Sequence, residues 1–260
     1  MTSRKTVAKS ARKIIKKGIH STATDDSSPW LSTEYISKIY NILSKDVVRT
    51  EIPELVILIG PSAVGKSTVK KSISKKSVDI DVDEILIQTT KDFGNPSVFK
   101  VIKDYQKFIK IMSDIAITHK NNIILDTSGK MQEAIKYVIH LAKQNGYKIT
   151  MAFVYSTLDK CEERVVLRKE RDNRRRFIPI PAIRKIYDDF ITNKIVSSYL
   201  IQNKNTFMKK IDNLYIFDNT NDETEIILKK ENNIMQVHRA FPNFYDINIV
   251  SVAPFFTKNK

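Results

Sequence analysis

Eight consecutive residues carry the clearest chemistry in this chain: Gly60, Pro61, Ser62, Ala63, Val64, Gly65, Lys66 and Ser67. They match the phosphate-loop pattern G-x-x-x-x-G-K-[ST] in full, and Thr68 follows. Such a loop must turn backbone N–H groups inward around an anion. Gly60 and Gly65 permit the backbone angles and the close approach that this takes. A helix starting near Gly65 presents its positive end to the same anion. In this pattern Lys66 reaches the β- and γ-phosphates of a nucleoside triphosphate, and the Ser67 hydroxyl is a ligand for Mg2+. The loop alone does not separate kinases from motors, GTPases or clamps.

Other residue types narrow the choice. Asp81 and Asp83 follow a short apolar segment, and carboxylates at i and i+2 point to one side of an extended chain. One can accept the proton of an attacking hydroxyl while the other orients substrate or a metal-bound water. A polar strand end, or an Asp cap on a helix before Ile85, is the competing reading. Asp126 closes the apolar run from Asn122, a position from which an aspartate holds Mg2+ directly or through water. The small-residue turn Thr127-Ser128-Gly129-Lys130 leaves room for a substrate, with Ser128 and Lys130 as donors. A plain turn with Ser128 as helix N-cap competes. Arg164, Arg168, Arg171, Arg174, Arg175 and Arg176 lie within thirteen residues. Guanidinium groups on a mobile lid neutralise the charge that develops in phosphoryl transfer; a solvated basic face or a nucleic-acid patch competes. His20, His119, His140 and His238 stand singly, with no metal spacing. Cys161 reads as a packed thiol and Trp30 as a core residue.

These residues need a frame, and the apolar patterning supplies one. Glu54–Ile59 is a continuous apolar run of the kind a buried parallel strand shows. Further strands are expected at 77–81, 122–126, 147–155 and 213–217. Helices are expected at 66–75, 97–119, 131–145, 158–171 and 183–201, with Gly146 closing one of them. Alternating strands and helices imply an α/β fold: a mostly parallel five-stranded sheet with helices on both faces. Ligands in such sheets sit at the carboxyl ends of strands. Asp81, Asp83, Asp126, Tyr155 and Asp218 all fall at or just past such ends.

The ends of the chain read differently from its middle. Residues 1–29 form a basic arm and polar linker, with seven cations and no acid in the first twenty residues. A nucleic-acid or membrane-binding arm, an organelle-targeting segment and a solvated tail are the three readings of it. Residues 30–50 hold a helical apolar stripe that packs on the core, 51–221 form the phosphate-loop domain, and 222–260 are a C-terminal extension with strand-like runs at 225–228 and 244–252. A net charge of +15 attracts polyanions such as nucleic acid, nucleotides or acidic membranes. No stretch approaches the roughly 18 apolar residues of a membrane span. A single cysteine leaves no internal disulfide and fits a reducing, intracellular compartment, with the cytoplasm as the first expectation.

Taken together, GPSAVGKST, IDVDEI, NNIILDTSGK, EERVVLRKERDNRRRFIP and IFDNT resemble the zeta-toxin family of P-loop kinases and neighbours such as chloramphenicol phosphotransferase. The resemblance covers about residues 50–220. It implies a P-loop kinase fold, ATP with Mg2+, and transfer of phosphate to a hydroxyl of a small molecule. By position it implies phosphate and metal binding by Lys66 and Ser67, and a general base at Asp83 with Asp81 beside it. Asp126 and Ser128 would contact substrate or the metal shell, where zeta toxins favour Glu and Thr. Arg164 matches the family's helix arginine and Arg176 its lid arginine. Asp218 and Asn219 resemble the turn these kinases place near adenine. The usual acceptor of the family is a UDP-amino sugar, and no residue here specifies that pocket. A nucleotide or polynucleotide 5′-hydroxyl kinase is a second reading, and a non-catalytic protein that binds NTP and nucleic acid is a third.

Overall fold

The computed structural model describes residues 28–73, 76–94, 98–171, 178–192, 195, 198–199, 208–221, 224–231 and 234–237. Its helices are α1 (Thr33–Leu43), α2 (Lys66–Ile73), α3 (Val82–Phe93), α4 (Val98–Thr118), α5 (Gln132–Gln144), α6 (Leu158–Arg171) and α7 (Ile180–Thr192). Its strands are β1 (Glu54–Ile59), β2 (Val78–Asp81), β3 (Ile123–Thr127), β4 (Lys148–Tyr155), β5 (Asn213–Asp218), β6 (Glu225–Glu231) and β7 (Ile234–Val237). The strands hydrogen-bond in the order β2-β3-β1-β4-β5-β6-β7, a mostly parallel sheet with helices on both sides. β1 thus lies between two strands that are not its neighbours in sequence. That arrangement places the turn after β1 at a switch point of the sheet.

The five expected strands are present, and β6 and β7 extend the sheet. β4 and β5 pair in parallel from Thr150–Asn213 to Tyr155–Asp218. β6 pairs antiparallel with β5 and β7 antiparallel with β6. Residues 225–231 of the C-terminal extension are therefore continuous with the sheet. The expected run at 244–252, the basic arm and Arg174, Arg175 and Arg176 lie outside the described residues.

Contacts divide the chain into two compact units. The first holds the described residues within Met1–Leu55, Lys75–Leu125 and Met131–Tyr147. Its core joins Ile36, Ile39 and Tyr40 of α1 to Tyr105, Phe108, Ile109 and Met112 of α4 and to Ile135, Val138 and Ile139 of α5, all buried. Ser32 caps α1 by accepting the Tyr35 N–H at 3.2 Å, a contact worth about 1 kcal/mol. Before α1, Ser28 and the Trp30 indole both donate to Asp104 Oδ2, at 2.5 and 3.0 Å. Trp30 is a core residue that also carries a satisfied polar handle.

The second unit holds the described residues within Val56–Ser74, Asp126–Lys130 and Lys148–Lys260. Ile57–Ile59 and Met151–Val154 are fully or almost fully buried, joined by Leu214, Ile216, Ile183, Phe190 and Tyr199. Each such side chain contributes about 1.5–3 kcal/mol by leaving water. This apolar floor carries every phosphate-loop residue.

Candidate active site

The phosphate loop leaves β1 and enters α2, whose first residue is Lys66. Its shape depends on two residues in left-handed backbone conformations, Ala63 at φ 66° and Gly65 at φ 90°. At Gly65 the chain also runs against a neighbour, since a Cβ there would stand 1.7 Å from Asn219 Nδ2. At Gly60 a Cβ would stand 2.6 Å from the Val154 carbonyl oxygen of β4. Glycine is required at both places by contact, and at Gly65 by angle as well. The Gly60 N–H donates to the Thr127 carbonyl at 3.2 Å, which ties the loop to the end of β3.

Within the loop the Lys66 ammonium donates to the Gly60 and Pro61 carbonyls at 2.9 and 3.0 Å. It also stands 3.6 Å from Asp126 Oδ1, and both side chains are largely buried. Low solvent content strengthens the attraction between cation and carboxylate. A phosphoryl oxygen is a charged acceptor and binds an ammonium more strongly than two neutral carbonyls do. The residues present therefore fit a phosphate: a cradle kept open by Gly60 and Gly65, and a lysine at its floor. For Mg2+ the set is Ser67, exposed at the start of α2, and Asp126, both hard oxygen donors of the kind that ion takes.

The Val64 carbonyl is held by two donors from elsewhere in the second unit. Arg164 Nη1 reaches it at 3.1 Å and Asn219 Nδ2 at 2.9 Å. Arg164 further donates to Ser156 Oγ at 3.1 Å and to the Asn219 carbonyl at 2.5 Å, and Ser156 Oγ donates to that carbonyl too, at 3.1 Å. The Asn219 amide is used at both ends, because its Oδ1 accepts from Thr224 Oγ1 at 2.8 Å. Asp218 Oδ1 accepts the Thr220 N–H at 2.9 Å and shapes the same turn. Sequence reasoning did not single out Ser156, Thr224 or Tyr187, whose hydroxyl donates to the Ser156 carbonyl at 3.0 Å. The signal available was position: Ser156 directly follows β4, where strand ends gather ligands.

The turn after β3 is built on Gly129, at φ 81°. The Tyr199 hydroxyl donates to its carbonyl at 2.9 Å, and its N–H donates to Thr127 Oγ1 at 3.2 Å. Ser128 is half-buried and does not cap the following helix: Met131 is the N-cap of α5, with no side-chain bond. Lys130 is ion-paired to Asp189 of α7 at 2.8 Å. That exposed pair holds the Asp189 carboxyl below its ordinary range through the Lys130 ammonium.

Asp81 and Asp83 belong to the first unit. The expectation of two carboxylates on one side of an extended chain is corrected here. β2 ends at Asp81 and α3 begins at Val82, so Asp83 stands in a helical first turn. Period-two reasoning stops where the backbone leaves the β region. Cys161 is fully buried, and burial pushes its thiol up to about 11 against the opposing charges of Arg164 and Lys66. It is a packed, unreactive thiol. Among the described residues no helix is long and apolar enough to cross a membrane, and no group of His, Cys, Asp or Glu is arranged to hold a metal by itself.

Comparison with known proteins bears on the family and the fold. No curated protein sequence matches the chain. A solved chain from the PezAT chromosomal toxin–antitoxin system of Streptococcus pneumoniae is similar, with a TM-score of 0.57 at 16% identity, covering 78% of this chain and 82% of that one. The AvrRxo1-ORF1:AvrRxo1-ORF2 structure with sulphate ions has a TM-score of 0.52 at 15% identity, covering 91% of this chain and 70% of that one. The structure of the same pair with ATP has a TM-score of 0.50 at 14% identity, covering 90% and 69%. At these identities the likeness is one of fold. A family model described as an AAA domain matches residues 55–190, from the first strand through the phosphate loop to the helix that carries Asp189. With its phosphate loop, its sheet order and more than half its length accounted for, the chain belongs to that AAA domain family, on the fold of the zeta-toxin-like P-loop kinases.

Proposed function

We propose that this chain is an ATP-dependent phosphotransferase that moves the γ-phosphate to a hydroxyl of a small molecule, a nucleotide sugar being one candidate. The observation that carries this reading is the Lys66–Asp126 pair at the floor of a cradle formed by Gly60 and Gly65. The neighbour solved with ATP supports the choice of nucleotide. ATP with Mg2+ supplies the transferable phosphoryl group when bound. Lys66 exchanges its carbonyl partners for phosphate oxygens, and Ser67 and Asp126 hold the metal. Asp83 takes the proton of the acceptor hydroxyl, with Asp81 close to it in sequence, and Ser128 and Lys130 orient the acceptor. Arg176 and Arg164 offset charge on the transferring group. Asp189 restrains Lys130 until an acidic acceptor displaces it.

The test is ADP release by purified protein with ATP and Mg2+ over a panel of hydroxyl compounds. Release is expected with at least one acceptor, and Lys66→Ala should lower it about a hundredfold or more. No release above the acceptor-free rate on any compound would sink the proposal. Full turnover by Asp83→Asn would remove that residue as the base. The net charge of +15 favours an oligonucleotide 5′-hydroxyl as the alternative acceptor. Labelled phosphate appearing on an oligonucleotide end distinguishes the two. Both neighbours belong to two-protein systems, which supports a protein partner here as well.

A further inference from the structure

Asn219 and Arg164 lie far from the phosphate loop in sequence, yet both end on a single loop atom, the Val64 carbonyl oxygen. A carbonyl within a phosphate loop is a liability, because its negative end repels the anion. Two donors drawing it to one side remove that repulsion. They also orient the next N–H, since the C=O of Val64 and the N–H of Gly65 belong to one rigid trans peptide and point in opposite directions. Gly65 is the residue with φ 90°, a conformation that the loop must sustain throughout. Asn219 Nδ2 is also the atom that a Gly65 Cβ would strike. The amide fills the space behind the loop as well as bonding to it.

We infer that Asn219, Arg164 and Ser156 form a latch that sets the Val64–Gly65 peptide for phosphate, which makes Asn219 a positioning residue for the triphosphate rather than a contact for the base. The inference rests on the reading that this loop binds a triphosphate. Thr224 belongs to the latch: its hydroxyl occupies Asn219 Oδ1 and keeps Nδ2 turned to the loop. The residue is also anchored at its backbone, because the Asn219 N–H donates to the carbonyl of Tyr155, at the end of β4, at 2.8 Å. A base seated at that turn meets an Asn219 side chain whose two ends are already bonded.

Titration calorimetry on the full chain tests this with three probes: ATP, inorganic tripolyphosphate and adenosine. Asn219→Asp sets a carboxylate oxygen against the Val64 carbonyl, and leaving a buried acceptor so opposed costs about tenfold or more in affinity. The expected result is an equal loss, about tenfold or more, for ATP and for tripolyphosphate, with adenosine unchanged. Thr224→Ala keeps both loop donors and frees the amide to turn, so a smaller but again equal loss is expected, restored by Thr224→Ser. This second series carries the test if Asn219→Asp does not fold. A loss for ATP and adenosine with tripolyphosphate unchanged would overturn the latch in favour of base contact. Unchanged binding of all three probes by both variants would overturn it as well. Wild-type protein that binds neither phosphate probe removes the triphosphate reading and the latch together. Tight binding without transfer to any acceptor removes only phosphotransfer.

Discussion

At Gly65 two constraints meet on one residue. Its φ of 90° would strain any L side chain, and its missing Cβ is the space taken by Asn219 Nδ2. Gly65→Ala therefore cannot be accommodated by loosening the backbone alone; the latch must also move. The expected outcome is loss of tripolyphosphate binding beyond a hundredfold, while circular dichroism reports an intact fold. Retention of binding within tenfold would mean that the loop is set by something other than the Val64–Gly65 peptide. Ala63, at φ 66°, already carries left-handed strain without a glycine. Its cost, about 1–2 kcal/mol, is sustained by the surrounding contacts, as is common at functional turns.

Among the elements, two helices end in the same way with different residues. α5 closes with Gly146 at φ 78°, whose N–H donates to the Lys143 carbonyl while the Tyr147 N–H donates to Ala142. α4 closes with Lys120 at φ 55°, bonded in the same pattern to Ile117, while Asn121 bonds to Ala116. Both are Schellman motifs. Lys120 offsets its strain by donating through Nζ to the Asn145 carbonyl, at the neighbouring helix end. Gly146 is the clean experiment, because a Cβ there meets nothing within 4 Å. Gly146→Ala should cost about 1–2 kcal/mol from the backbone angle alone, read as a lower denaturant midpoint with an unchanged slope. No measurable loss would show that the helix end relaxes out of the left-handed region.

At the scale of the whole molecule, Asp114 makes stability depend on pH. This half-buried carboxylate of α4 accepts from the Tyr137 hydroxyl at 2.9 and 3.1 Å, with Lys110 standing over the Tyr137 ring. Burial outweighs both partners and pushes its pKa up to about 6 from an ordinary value of 3.8. A folded pKa above the unfolded one means the protonated form favours folding. This contribution is complete below about pH 4 and is lost as pH rises to about 6. Asp114→Asn keeps an acceptor for Tyr137 and removes the ionisation. The variant should be more stable than wild type at pH 7, equal to it near pH 4, and flatter in between. Thermal melts across that range decide it, and parallel curves for the two proteins would assign the pH dependence elsewhere.

What the sequence by itself determined was local. Eight adjacent residues define the phosphate loop, because its geometry is a matter of φ angles and N–H directions within one turn. Apolar runs and helical periodicity located the five strands of the parallel core, since burial on both faces leaves a continuous signature. Asp126 was legible because it ends such a run. Tertiary structure decided the partners. Asn219 reaches Val64 across 155 positions, and Lys130 reaches Asp189 across 59, distances over which no spacing rule carries information. An Asp-Asn turn that reads as base-facing in sequence is, in the fold, bonded to the phosphate loop. β6 was legible in part: the run at 225–228 reads as strand-like, and only pairing with β5 and β7 carries the strand through the charged residues to Glu231. Local geometry is written residue by residue, whereas a long-range contact exists only once the sheet has brought its two ends together.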